Sequence, residues 1–384
     1  MTLPPTVPEI SPRDVAQAVE NGDAIQVLDI RAPASVAAAR IDLTAEDQYH
    51  NIVGSRLITM RSAEQVGLDP TVPVAVVCAQ GNDSKPAAAF LNQLGYQAKS
   101  LRGGMAAWML LSLPRDLPTT PSLDRLVQFE RIGKGALGYL LISDGAALII
   151  DPPRTLDPYL AAVEQAGAKV AGLADTHCHA DYLSGGPLFA RQLGVPYYLH
   201  PADAFYPYDG TPGRIEFRAI HDGDTIQVGR CEVRVRHTPG HTEGSVTYLV
   251  DQQAAFTGDF VFVQSVGRPD LAGKTKEWTK VLWNSLANAK AEWPKNLLIY
   301  PAHYASEDEH NPDRSVGARF GDLLQSNQAL AMSDAAAFTR WVRSNTVSFP
   351  DAYRTIKAVN VGLVEVSGRQ AEELEVGRNE CAIG

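Results

Sequence analysis

The chain has 384 residues, of which 45% are hydrophobic and 20% charged, and a formal net charge of −10. That size and composition fit a globular protein of two domains, or three small ones, and exclude a disordered or fibrous chain. The acidic balance, with no Lys/Arg run, argues against a nucleic-acid partner. Apolar stretches such as residues 146–150 are far shorter than the roughly 18 residues of a membrane span, so no membrane partner is expected. Met1-Thr2-Leu3-Pro4-Pro5 offers neither a basic start nor an apolar run, so no export signal is expected. A cytoplasmic location follows from that expectation. Cys78, Cys178, Cys231 and Cys381 form no CxxC pair and are expected as reduced thiols.

In chain order, Ser11-Pro12 predicts a helix start, with Ser as N-cap and Pro in the first turn. Residues 24–30 and 72–77 predict strands, each followed by punctuation and a helical pattern. Ser84-Lys85-Pro86 opens a helix over 87–94 that Gly95 closes. Strands alternating with helices imply a parallel sheet. Residues 1–113 thus read as one domain, with net charge −3 against −7 for the remainder. Residues 114–122, with three prolines and several small polar residues, read as a linker. Residues 123–384 form the second domain. Strands are expected at 137–142, 146–150, 232–236, 246–250 and 297–300, and helices at 156–166 and 278–289. Residues 314–341 read as mostly helical, and the last forty residues show no pattern that places them.

Cys78-Ala79-Gln80-Gly81-Asn82-Asp83-Ser84 follows a strand directly and runs into a helix. Backbone N–H groups of such a loop and the helix N-terminus can face one sulfur and favour its thiolate. A bare cysteine is more often a packing residue; the loop context reverses that reading. The segment resembles the active loop of a rhodanese domain, a fold whose loop cysteine carries a sulfur atom. Asp29-Ile30-Arg31, Asn51-Ile52-Val53-Gly54-Ser55 and Leu101-Arg102-Gly103-Gly104-Met105-Ala106-Ala107-Trp108 resemble three further motifs of that family. The resemblance implies that Cys78 is a persulfide carrier. Two departures stand out: Ser35 occupies a usually acidic position, and the loop holds Asp83 but no arginine, with only Lys85 beyond it. Transfer from a persulfide is therefore easier to credit than transfer from thiosulfate.

In the second domain, His177-Cys178-His179-Ala180-Asp181, His237-Thr238-Pro239-Gly240-His241, Thr257-Gly258-Asp259 and Pro301-Ala302-His303 each follow a strand-like run. Loops from one sheet edge can converge on a common point. This set resembles the metallo-β-lactamase superfamily, which implies an αβ/βα sandwich after the rhodanese-like α/β domain. Tyr182 stands where the family's dinuclear hydrolases have a histidine for the second metal, so one metal per chain is expected. With Gly267-Arg268-Pro269-Asp270-Leu271, the motifs look like those of persulfide dioxygenases, mononuclear iron enzymes often fused to rhodanese domains. The resemblance implies Fe(II) on His177, His241 and Asp259, a facial triad with open positions. It places His179, Asp181 and His303 around that triad, with His179 a direct ligand if the metal is zinc. Arg268 is a candidate for the substrate's carboxylates or for an ion pair with Asp270. Tyr304 is a candidate for the place of a family tyrosine that reaches the pocket. Cys178 reads as packing, and Cys231 and Cys381 offer no functional argument.

The function implied is oxidation of a small-molecule persulfide, such as glutathione persulfide, by O2 to sulfite and thiol, coupled to sulfane-sulfur transfer at Cys78. The alternative is a zinc-dependent, glyoxalase-II-like thioester hydrolase with a non-catalytic rhodanese module. The natural thiol carrier, the direction of sulfur transfer and a homo-oligomeric state stay open at the level of sequence.

Overall fold

The computed structural model describes residues 7–41, 46–346 and 348–383. Met1–Pro5, read above for a leader, lies outside them. The chain divides into two compact units. The first comprises residues 1–113, 131–134 and 376–378, and the second comprises 114–130, 135–375 and 379–384.

The first unit is built on a five-stranded sheet whose spatial order is Glu9–Ile10, Ala98–Leu101, Val74–Val77, Gln26–Asp29, Tyr49–Asn51, with every pair parallel. Its two central strands are buried along their whole length, as a sheet covered on both faces requires. Alternate residues separate the two cores. Val27, Ala75 and Val77 pack with Val15, Met105 and Trp108, whereas Leu28, Val74 and Val76 pack with Ala88 and Leu91. The helix Pro12–Glu20 starts as its sequence predicts, with a capping box between Ser11 and Asp14.

The second unit holds a seven-stranded and a six-stranded sheet. Leu137, Tyr139 and Leu141 pack with Val233, Val235, Tyr248 and Phe256 in a core between the sheets. Their neighbours Leu140 and Ile142 face outward with Tyr159, Val163 and Ala190, from the helices Asp157–Gln165 and Gly186–Leu193. On the other side, Ala255 and Ile299 pack with Leu282, Leu286, Phe338 and Val342, from the helices Thr275–Glu292 and Ala335–Asn345. The layers therefore run helix, sheet, sheet, helix, an αβ/βα sandwich. No helix among the described residues is long and apolar enough to cross a membrane.

Two segments depart from the sequence reading. The expected linker begins inside the strand Ser112–Asp116, which lies at an edge of the seven-stranded sheet, where Pro114 withdraws no interior ladder bond. Residues 314–317 are not helical, and Ala318–Arg319 pairs with Leu298 and Ile299 before the helices begin. The last residues, which no pattern placed, form the helices Ala352–Asn360 and Gly368–Leu374. They settle against the first histidine motif. Asn360 donates to the carbonyls of His179 and Tyr182 (both 2.9 Å), and Lys357 Nζ donates to that of Cys178 (2.8 Å).

Candidate metal centre and cysteine loop

The strand Val74–Val77 delivers Cys78 to the start of the loop. Gly81, at φ +78°, turns its N–H onto Cys78 Sγ (3.1 Å), and Ser84 Oγ lies 3.2 Å from the same sulfur and 2.9 Å from Ser100 Oγ. The loop is seated by Met105 N–H on Cys78 O (2.9 Å) and Ala106 N–H on Ala79 O (3.0 Å). Gly104 permits this approach: a Cβ there would lie 2.4 Å from Cys78 O and 2.6 Å from Gly81 N. Arg31 is paired with buried Asp29, which also accepts from Tyr49, and Lys85 is paired with Glu9. Neither cation is committed to the loop.

In the second unit, four strand ends converge. Thr176 O accepts from Val246 N (2.8 Å), which ties the first motif to the strand Val246–Val250. His177, His241 and Asp259 are fully buried together, with ligand-type atoms within 4.8 Å of one another. Asp259 Oδ2 lies 3.5 Å from His177 Nε2 and 3.3 Å from His241 Nε2. All three atoms lack a hydrogen-bond partner among the described residues, an arrangement that buried polar atoms avoid unless something else satisfies them.

The outer atoms of these residues are all engaged. His241 Nδ1–H donates to Arg268 O (2.9 Å). Thr176 Oγ1 lies 3.0 Å from both carboxylate oxygens of Asp151 and 3.0 Å from His177 Nδ1. Because the hydroxyl has one proton to give to Asp151, it accepts from His177 Nδ1–H. Both imidazoles thus turn an Nε2 lone pair toward Asp259 Oδ2, the tautomer a metal ligand needs. Burial, reinforced by the neighbouring His179, lowers His177 below the ordinary histidine range. Burial also holds His241 well below it, against Asp259 and with smaller contributions from His177 and Lys357. Asp259 sits well below the carboxylate range: burial opposes its charge, but the charged His303 outweighs it. Two neutral imidazoles and one carboxylate are the protonation states that bind a divalent metal.

His303 bridges two carboxylates, with Nδ1 on Asp259 Oδ1 (2.6 Å) and Nε2 on Asp181 Oδ2 (3.0 Å). Burial opposes its charge, yet Asp181 and Asp259 push it up to about 10. Asp181, His303 and Cys381 form a second buried group of ligand-type atoms, but both nitrogens of His303 are committed to carboxylates. In a third group with Asp151 and Asp175, His179 Nε2 is engaged by Asp151 (3.1 Å) and by Tyr182 Oη (2.9 Å). The donor set fits one metal on His177, His241 and Asp259, with Asp181 and His303 around it; His179 is held through Nε2, and its buried Nδ1 has no hydrogen-bond partner among the described residues.

The remaining candidates lie elsewhere. Arg268 is buried in a two-pronged ion pair with Asp270 (2.7 and 2.8 Å), the second of the roles its motif allows. Tyr304 Oη donates to Glu130 (2.9 Å), which also takes His310 and Arg115, so its hydroxyl serves that cluster. Cys178 is buried, and burial pushes its thiol up to about 12, in keeping with packing. His237 donates to Glu243 O (2.8 Å) and stacks on His200, outside the triad. Thr176, Asp151, Asp203 and Lys357 carry roles the motifs did not assign. Asp151 ends a strand as Asp259 does, and that was the available signal; Asp203 and Lys357 have none.

The family model described as the metallo-beta-lactamase superfamily matches residues 133–303, and that of the rhodanese-like domain matches residues 11–111. The chain is 31% identical over 214 residues to an uncharacterized protein of Aquifex aeolicus, covering 52% of this chain and 99% of that protein. It is 34% identical over 163 residues to the mitochondrial persulfide dioxygenase ETHE1 of Bos taurus, covering 41% of this chain and 58% of that protein. A crystal structure of a metallo-beta-lactamase from Staphylococcus aureus superposes with a TM-score of 0.55 at 29% identity, covering 63% of this chain and 73% of that one. The chain carries a rhodanese-like domain ahead of a metallo-β-lactamase domain and is homologous to the persulfide dioxygenase ETHE1 over the latter.

Proposed function

We propose that the chain is a persulfide dioxygenase, which converts a small-molecule persulfide of the glutathione type, O2 and one water to sulfite and thiol, the water supplying the third sulfite oxygen. The observation that carries this reading is the convergence of three orphaned, fully buried ligand atoms from two histidines and one aspartate. Such a triad leaves positions open and is the set used for non-haem Fe(II). Bound Fe(II) supplies a redox-capable centre at which the persulfide sulfur and O2 can meet; zinc has no accessible redox chemistry. The homology to persulfide dioxygenases supports the same reading.

The chain's own residues do the rest. Thr176 and the Arg268 carbonyl fix the two imidazoles. His303 holds one oxygen of Asp259 and leaves the other for the metal. Ala180, Phe262, Leu271 and Tyr353 form a buried apolar cluster next to this site, with the Phe262 ring 6.3 Å from that of His303. In the other unit, Gly81 N–H and Ser84 Oγ are placed to stabilise sulfur charge on Cys78, in keeping with a carrier of sulfane sulfur. Its reaction partners in this reading are the persulfide and O2, and its compartment the cytoplasm.

The test is O2 uptake by anaerobically iron-loaded protein given fresh glutathione persulfide, with sulfite assayed in parallel. Uptake matched by sulfite is expected. Stoichiometric iron with no uptake sinks the proposal.

A further inference from the structure

His177 and His241 come from different sheets. The first lies beyond the strand Lys169–Ala174 of the seven-stranded sheet, the second beyond Cys231–His237 of the six-stranded one. A metal that takes both needs their backbones held at a fixed separation. Asp203 is placed to do this. It ends the turn Pro201–Asp203, just after the strand Tyr197–Leu199 that pairs with Lys169–Ala174, and it is 5% exposed. Its Oδ2 accepts from Cys178 N–H (2.7 Å), one residue after His177, and from Thr242 Oγ1 (2.7 Å), one residue after His241. Its Oδ1 accepts from Gly244 N–H (2.8 Å). Gly244 permits the approach, since a Cβ there would lie 2.7 Å from Asp203 Oδ1.

Three donors converge on this side chain, and none of its contacts asks it for a proton. An ionised carboxylate, which only accepts, satisfies all three; an amide of the same shape cannot. With its oxygen toward Cys178 and Thr242, the amide turns its NH2 on the Gly244 N–H. Turned over, it abandons the other two. Either way a buried donor is left unmet, which costs more than the hydrogen bond itself. The Thr242 hydroxyl is also oriented: it gives its proton to Asp203 and accepts from Ser245 Oγ, 2.7 Å away. On the other side of His177, Thr176 N–H donates to Asp151 (2.7 Å). His177 thus sits between two peptide N–H groups fixed by two carboxylates, and one of those carboxylates also holds the turn that carries His241.

We infer that Asp203 is a positioning residue of the metal centre, which joins the two histidine motifs across the sandwich and sets the separation of His177 and His241 in advance of metal binding. The inference rests on the triad as the metal site and holds whatever reaction is carried out there. Without Asp203 each motif has to be ordered by the metal itself, and that ordering is subtracted from the affinity.

The test is chelator competition for Fe(II) under argon and for Co(II), on the full-length protein, with the visible spectrum of the Co(II) form recorded alongside. Asp203→Asn should weaken both metals about tenfold, the lower end of the range for outer partners of metal ligands. It should also shift the Co(II) bands, because the ligands are kept while their geometry loosens. Thr242→Val, which removes one of the three donors, should weaken binding about threefold. The double variant should match Asp203→Asn alone, because both changes break the same contact. Asp209→Asn is the control: it lies in the same loop, accepts from Thr211 N–H within its own turn (2.9 Å), and should leave affinity and spectrum unchanged. Wild-type affinity and spectrum in Asp203→Asn overturn the inference. So does a double variant in which the two effects multiply, or an equal loss in Asp209→Asn, because the loss then belongs to the loop and not to the link. Should Asp203→Asn fail to fold, Thr242→Val decides, and an unchanged affinity overturns the inference. Weakened metal binding in Asp203→Asn without O2 uptake by the iron-loaded wild type would remove the dioxygenase and keep the link. Uptake by the wild type with unaltered metal binding in Asp203→Asn would do the reverse.

Discussion

The two units build reactive centres from different materials. Around Cys78 the work is done by backbone: Gly81 N–H on the sulfur, with the loop carbonyls of Cys78 and Ala79 held by Met105 and Ala106 N–H. The parts lie close in sequence, within residues 78–84 and 103–106. In the second unit the atoms that meet are side-chain atoms from positions 177, 241 and 259, brought together by strand ends of a two-sheet sandwich. A backbone-built site should be sensitive to conformation and tolerant of neighbouring side-chain chemistry. A side-chain-built site should be the reverse, failing when a ligand or its hydrogen-bond partner changes while the fold persists.

The largest expected effect is that of Asp259→Ala. It removes the one anionic ligand, leaves His177 and His241 facing each other, and deprives His303 of a carboxylate. Metal affinity should fall by more than about 100-fold, beyond the range seen when only an outer partner of a ligand is lost. Elemental analysis after dialysis reads the outcome, with O2 uptake alongside. Labelling of Cys78 by iodoacetamide should be unchanged. Stoichiometric metal in the variant would mean that the triad is wrongly assigned.

Gly104→Ala probes the other side of the comparison. The residue sits at φ +59°, and its new Cβ would press on Cys78 O and Gly81 N. Backbone strain alone costs on the order of 1–3 kcal/mol, and the contact adds to it. Urea unfolding followed at Trp108, buried in the first unit's core, should show the loss, with the Cys78 thiol more readily alkylated and the metal content intact. Stability within roughly 0.5 kcal/mol of wild type, the usual scatter of surface substitutions, would show that the loop does not depend on this close approach.

Thr176→Val is the gentler change in the side-chain-built site. The shape is nearly kept, but His177 Nδ1 loses its acceptor and Asp151 a donor. The ring becomes free to turn or to change tautomer, and metal affinity should drop by roughly 10–100-fold. Chelator competition measures it. An unchanged affinity would mean that packing alone orients His177.

The same contrast explains what could be read from sequence. The Cys78 loop is local, so a strand, a glycine and a helix start within a dozen residues nearly describe it. The triad was legible because each ligand falls at a strand end inside a short motif. What surrounds it was not. Asn360 and Lys357 reach the first motif from almost 180 residues away, in a helix whose sequence gives no sign of its destination. Tyr304 shows the limit of motif matching. Its position fits a pattern, but its hydroxyl goes to Glu130, whereas Arg268 takes the Asp270 pair that its motif allows. Proline-rich residues 114–122 read as a linker because edge strands tolerate proline, and nothing local tells an edge strand from a connector.

The smallest effect tests whether the metal centre alone sets the acid response of the second unit. His200 stacks on His237 at 4.3 Å and 9°, with His221 5.8 Å away. Burial, and then the charge of His237, push its pKa from 6.5 down to about 4, against the pull of Asp203. Between those values the unfolded chain holds a proton that the folded chain refuses. The stabilisation is therefore complete above about pH 6.5 and is lost as pH falls through about 4. Because the ring is half-exposed, solvent screening leaves on the order of 1 kcal/mol. His200→Gln should flatten the dependence of the urea midpoint on pH across that window by this amount, measured as a difference of differences against wild type. His177 and His241 are also held neutral by burial, so they contribute a slope of the same sign. If His200→Gln keeps the full wild-type slope, the acid response belongs to the ligands themselves. The contrast between the two units then becomes sharper, because the side-chain-built site would govern the pH stability of its unit as well as its chemistry.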